Sequence, residues 1–152
     1  MKTPAPIISL LKPEQIDAAV ALFCAQLSEH HLPNNAVEIR AVVKQLIADE
    51  TRGFVLVVSS GGMLVGIALG CSYLGVEHGG ESGWLEELFV TPEWRGQGLG
   101  SKLIEEVIRL ARARGWRALD LEVTEDHQRV ASLYRRHGFQ LHSRSRYFLK
   151  LD

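Results

Sequence analysis

The chain of 152 residues is poor in cysteine, in net charge and in long apolar runs, and each shortage removes a class of protein. Its two cysteines, Cys24 and Cys71, lie far apart and belong to no Cys-X-X-Cys or Cys/His cluster. A disulfide framework and a zinc site are therefore not expected, and a reducing compartment is. A formal net charge of −1 argues against a general binder of nucleic acid or membrane surfaces. Before Pro13 there is only Lys2 and nothing approaching the ~20 apolar residues of a spanning helix, so neither a leader nor a membrane segment is expected. The reading is a cytoplasmic protein without a metal. No repeat, linker or low-complexity stretch divides the chain, and residues 1–152 are expected to form one domain.

What the chain does contain is regular patterning. Residues 7–11 form a short apolar run suited to a strand, and Pro13 stands where a helix could begin. Ala18, Ala19, Leu22, Phe23 and Leu27 recur at helical spacing. Pro33-Asn34-Asn35 breaks the chain and offers asparagine caps to a second helix, with Val37, Val42, Leu46 and Ile47 toward one side. Residues 54–59 and 63–74 read as a hairpin turning at Gly61-Gly62; a polar loop over 75–83 and a third strand over 84–91 follow. An amphipathic helix over 98–114, a strand over 118–123, a helix running to His137 and two terminal strands over 139–142 and 146–151 complete the order. The expected fold is α/β (α+β): a single mixed, mostly antiparallel central sheet flanked by helices, with one right-handed parallel crossover.

From residue 86 to 101 the chain reads Glu-Glu-Leu-Phe-Val-Thr-Pro-Glu-Trp-Arg-Gly-Gln-Gly-Leu-Gly-Ser, a strand running into alternating glycines that open a helix. Gly96, Gly98 and Gly100 would let backbone N–H groups converge, and the helix start would add its positive end. A pyrophosphate suits such a cradle. A Walker loop would need a different glycine spacing before Lys102, and a dinucleotide fingerprint would need glycine where Ser101 stands. Asp120 and Glu122 lie where a ribose-binding acid would fall, but three meander strands before the loop leave too little chain for a nucleotide-binding half.

Arg95, Gly98 and Gly100 match Arg/Gln-X-X-Gly-X-Gly/Ala, and the segment resembles motif A of the GNAT superfamily of acetyl-CoA-dependent N-acetyltransferases. Leu133-Tyr134 followed by Gly138-Phe139 resembles the later Leu-Tyr-X-X-X-Gly-Phe segment of the same superfamily. The resemblance implies a GNAT-like acyl-CoA N-acyltransferase fold and acetyl-CoA as cofactor. It implies that Gly96, Gln97, Gly98, Leu99, Gly100 and Ser101 hold the pyrophosphate, with Arg95 beside them. Leu88, Phe89 and Val90 would pair with the pantetheine arm. Tyr134 would give a proton to the departing thiolate, and a carboxylate would take one from the amine. Strand alternation sends Glu86 and Glu87 to opposite faces, so one of them is the base; the resemblance favours Glu86, and a bulge here, common in this fold, would reverse the choice. Where many members carry asparagine, seven residues before the tyrosine, this chain has His127, a candidate cofactor neighbour.

The acceptor site in this fold is framed by the first two helices and the loop before the central strand. Here those regions supply Glu29, His30, His31, Glu77, His78, Glu81 and Trp84; the substrate-binding candidates are Glu29, His31 and Trp84 with Glu87 of the strand, the acids suiting a cationic amine and Trp84 offering it a ring face. The expected activity is acetyl transfer to a primary amine of a small molecule. A protein N-terminus or lysine is the alternative acceptor, and a non-catalytic acyl-CoA-binding regulatory module is the alternative class. The resemblance also implies a homodimer.

Overall fold

The structure is a computed structural model and describes residues 2–152. The chain forms two compact units, Met1–Glu122 and Val123–Asp152, taken here one at a time. Among the described residues no helix is long and apolar enough to cross a membrane.

The first unit holds one five-stranded sheet in the order β1-β2-β3-β4-β5. Its elements are β1 (Ile7–Leu10), α1 (Ile16–Glu29), α2 (Ala36–Ala48), β2 (Gly53–Ser60), β3 (Met63–Gly75), β4 (Gly80–Val90), α3 (Leu99–Ala113) and β5 (Leu119–Asp120). The first four strands pair antiparallel and β5 pairs parallel to β4, across the crossover that α3 makes. The mixed, mostly antiparallel architecture is the one the sequence implied.

Local chemistry accounts for most boundaries. Pro13 opens a short 3-10 turn before α1, and the Asn35 side chain accepts hydrogen bonds from the Val37 and Glu38 amides to start α2. Gly61 and Gly62, with φ of 57° and 81°, make the β2–β3 turn. β2 is apolar along nearly its whole length because both of its faces are covered. On one face Val55, Val57, Ile67, Leu69 and Phe89 pack with Ala19, Leu22, Phe23, Val43 and Leu46 of α1 and α2. The alternate positions, including Leu56, Ala68 and Leu85, are buried on the face that α3 covers with Leu99, Leu103, Ile104, Val107 and Ala111.

Several expectations are corrected. In α2 the buried face runs through Val43 and Leu46, whereas Val37 and Val42 are exposed, so the apolar stripe is rotated from the one inferred. The loop expected over 75–83 is mostly strand: β4 begins at Gly80, because residues 80–84 find ladder partners on β3. The strand expected over 118–123 is reduced to Leu119–Asp120, the length over which β4 pairs with it.

The second unit contains a 3-10 segment (Glu125–Val130) and α4 (Ala131–Arg136), with Gly138 in the left-handed conformation just beyond. Neither terminal strand expected over 139–142 and 146–151 is formed among the described residues, and Leu141, Tyr147, Phe148, Leu149 and Leu151 are exposed. Their β-type pattern is a local property. A strand also needs a partner edge, which pattern alone does not supply.

Candidate active site

The glycine loop follows β4 through a 3-10 turn, Pro92–Trp94. Gly96 and Gly98 have φ of 76° and 79°, the left-handed region that costs other residues about 1–2 kcal/mol. A Cβ on either would meet nothing within 4 Å, so these glycines serve backbone direction and leave the approach to the loop open. Gly98 is the N-cap of α3, and no acidic side chain in the first turn offsets the positive end of that 15-residue helix. Gly100 differs from the expectation: it lies inside the first turn of α3 rather than in the bend. Leu99 is buried and anchors the turn, Ser101 follows in the helix, and Gln97 is exposed beside Glu93 and Trp94.

β4 supplies the rest of the frame. It pairs with β5 only at Gly83 and Trp84, so beyond Trp84 its side away from β3 is not covered by that strand. The Thr91 amide donates to Val65 of β3, and ladder alternation then turns the N–H and C=O groups of Leu88 and Val90 away from β3. Both carbonyls meet side chains there. Leu88 O accepts from Gln26 Nε2 at 3.4 Å, and Val90 O accepts from Arg95 Nε at 2.9 Å. Phe89 points into the α1–α2 core, with the Arg95 guanidinium 5.4 Å from its ring centroid. Arg95 Nη2 also donates to Glu29 Oε2 at 2.7 Å, which joins a residue read as a cofactor contact to one read as an acceptor contact.

The strongest correction concerns the two acids. Leu69 pairs with Glu87 and Gly70 with Leu85, so Glu86 is the extra residue of a β-bulge. Glu87 keeps the face of Leu69, toward α1. Glu86 turns to that face as well, where its Oε2 accepts from Cys71 Sγ at 3.3 Å. Regular alternation would have separated the two acids. The bulge gathers them, with Trp84 opposite Cys71 in the adjacent pair.

The electrostatics follow. Burial, then the charge of Glu86 and that of Glu122, push the Glu87 carboxyl up to about 7, against a hydrogen bond from Gln26 that lowers it. Burial and the two glutamates together push the Cys71 thiol up to about 12. Nearby, Tyr73 Oη donates to Asp120 Oδ2 at 2.6 Å, and His78 Nε2 lies 3.8 Å from the same oxygen, a set that joins the β3–β4 turn to β5.

Gln26 is a functional candidate that apolar spacing alone did not select. It stands three residues after Phe23 and four after Leu22, on the face of α1 that should be apolar, and it is 4% exposed. Its amide nitrogen donates to Leu88 O and favours the ionised form of Glu87, while its Oε1 is buried without a hydrogen-bond partner. Such an orphan costs about 1–3 kcal/mol. A polar residue inside an apolar stripe was the signal that could have found it.

His31 is exposed and adopts φ of 57° where α1 ends. In the second unit, Tyr134 sits on α4 with its ring edge-on to Phe139, centroids 5.8 Å apart, and His127 lies in the 3-10 segment 3.3 Å from Thr124 Oγ1.

A glycine turn at a helix start thus follows a strand whose outer edge beyond Trp84 is not paired by β5. The chain belongs to the acetyltransferase (GNAT) family, whose model matches residues 18–139. It is 41% identical to a thialysine N-epsilon-acetyltransferase of Bos taurus over 61 residues, a match spanning 40% of this chain and 36% of that protein, so the likeness covers about a third of the relative's length. An integron cassette protein from the Cole Harbour salt marsh metagenome has the same fold, with a TM-score of 0.85, 23% identity, and coverage of 95% of this chain and 90% of that one. An aminoglycoside N-acetyltransferase solved in complex with CoA superposes with a TM-score of 0.82 at 18% identity, covering 99% and 97%.

Proposed function

We propose that this N-acetyltransferase moves the acetyl group of acetyl-CoA to a primary amine of a small cationic molecule by direct attack, with Glu87 accepting the amine's proton and Tyr134 donating one to the departing thiolate. The observation that carries the reading is the pairing of Glu86 and Glu87 on one face by the β4 bulge, beside the open edge of the strand. This moves the role of base from Glu86, the sequence-based choice, to Glu87.

The reason is chemical. An aliphatic ammonium loses its proton near pH 10, so attack at neutral pH needs a group that takes that proton and can release it again. A carboxyl at about 7 is matched to this task. Glu86, exposed beside it, adds negative charge that holds the ammonium, and Trp84 offers a ring face for the same cation.

The residues present fit coenzyme A. Gly96 and Gly98 carry the loop through left-handed turns into the start of α3, and the Leu88 and Val90 N–H groups are turned to the open edge. When bound, acetyl-CoA supplies an activated acetyl group as a thioester. The Leu88 amide is oriented to donate to a carbonyl oxygen that gains charge during attack, a contribution of roughly 3 kcal/mol for a well-aligned donor. Glu29 and Trp84 frame the acceptor, and His127 neighbours the cofactor.

The test is thiol release from acetyl-CoA with a panel of thialysine, 1,4-diaminobutane and an aminoglycoside. Turnover with at least one amine is expected, falling at least ~100-fold in Glu87→Gln and less in Glu86→Gln. Tyr134→Phe should slow turnover while coenzyme A affinity stays nearly intact. Tight coenzyme A binding with no turnover on any amine would instead mark a non-catalytic acyl-CoA-binding module.

A further inference from the structure

Gln26 interrupts the apolar face of α1 and reaches across to β4, 62 residues away in sequence. Its amide nitrogen is the group in use: it donates to the Leu88 carbonyl at 3.4 Å and lowers the proton affinity of the Glu87 carboxyl. Both are acceptors, so the amide has one satisfactory orientation, and that orientation leaves Oε1 buried without a partner. An apolar residue of the same length would fill the space and bury no orphan. A side chain kept at such a cost is being kept for what its nitrogen does.

We propose that Gln26 is a positioning residue for acetyl transfer, tying the β4 backbone at Leu88 to α1 beside the Glu87 carboxylate, so that the carboxylate faces the reacting amine while the Leu88 N–H stays turned to the open edge. The proposal rests on the reading of Glu87 as the base. The groups around Glu87 define what Gln26 opposes. Glu86 on the same strand and Glu122 beyond β5 raise its proton affinity, and the Cys71 thiol on β3 is held protonated against Glu86. Among the contributions named for Glu87, the Gln26 amide is the one that favours its ionised form.

The experiment is a titration of carboxyl-13C-labelled glutamate by NMR in the wild type and in Gln26→Met, with the Glu87 signal assigned from its loss in Glu87→Gln. In Gln26→Met the Glu87 midpoint should rise by about half to one pH unit, because a hydrogen bond to the charged form is lost. The acid limb of the pH–rate profile should move up by the same amount. Gln26→Asn, which keeps the amide but shortens its reach, should also shift the midpoint upward and serves if the methionine variant does not fold. An unmoved or lowered midpoint overturns the proposal. Full turnover in Glu87→Gln beside a shifted midpoint would overturn the base reading alone.

Discussion

Arg95 Nη2 lies 2.7 Å from Glu29 Oε2, so the glycine loop is tied to the last turn of α1 by an ion pair. The same guanidinium holds the Val90 carbonyl through Nε and covers the Phe89 ring. Arg95 thus acts as a brace between two surfaces that the sequence assigned to different ligands. Both side chains are about a third exposed, and the pair contributes only ~0–1 kcal/mol to stability. Its value is geometric. Glu29→Gln is expected to raise KM for the acceptor amine about three- to tenfold while leaving KM for acetyl-CoA within twofold. An equal rise in both constants would mean that Glu29 serves only to hold Arg95, and steady-state kinetics with each substrate varied in turn separates the two.

The raised Glu87 carboxyl makes a prediction about stability. Its folded-state value of about 7 lies above the ordinary 4.5, so between those values the folded chain binds more protons than the unfolded one. This contribution is fully present below about pH 4.5 and is lost as pH rises through 7. Glu87→Gln, which stays neutral, should therefore be more stable than the wild type at pH 8 by about 1–3 kcal/mol, with the difference closing toward pH 5. Urea denaturation at the two pH values measures it. A variant that is less stable at pH 8 would show that Glu87 is not destabilised by its surroundings.

Cys71 offers an independent reading of the same cluster. With its thiol pushed up to about 12, it should react slowly with iodoacetamide at pH 8. Burial is the largest cause, and the charge and hydrogen bond of Glu86 come next. Glu86→Gln should speed alkylation of Cys71 by about three- to tenfold without unfolding the chain. Mass spectrometry of the labelled peptide gives the rate, and an unchanged rate would separate Cys71 from Glu86.

Features that depend on a few adjacent residues were readable in the sequence. The Asn35 cap, the Gly61-Gly62 turn and the left-handed Gly96 and Gly98 each follow from the conformational limits of one or two side chains. The bulge was open only through the family resemblance and its position at Glu86 was not readable, since it depends on how β3 and β4 settle their register, and nothing in Glu-Glu-Leu-Phe announces an extra residue. Gln26 was hidden for a related reason: a polar residue in an apolar stripe reads as noise until its partner on β4 is known. The segments over 139–142 and 146–151 show the opposite failure, where a clear strand pattern has no ladder in the second unit.

The treatment of β4 beyond Trp84 matters for the chain before it meets any ligand. A strand edge left open by its neighbour is a template on which another copy's strand could grow. Here both outward carbonyls over Leu88 to Val90 are already held by side chains, one from α1 and one from the loop. A foreign strand would have to break both bonds before it could dock in register. Gln26 and Arg95 therefore also guard the newly made protein against sticking to itself.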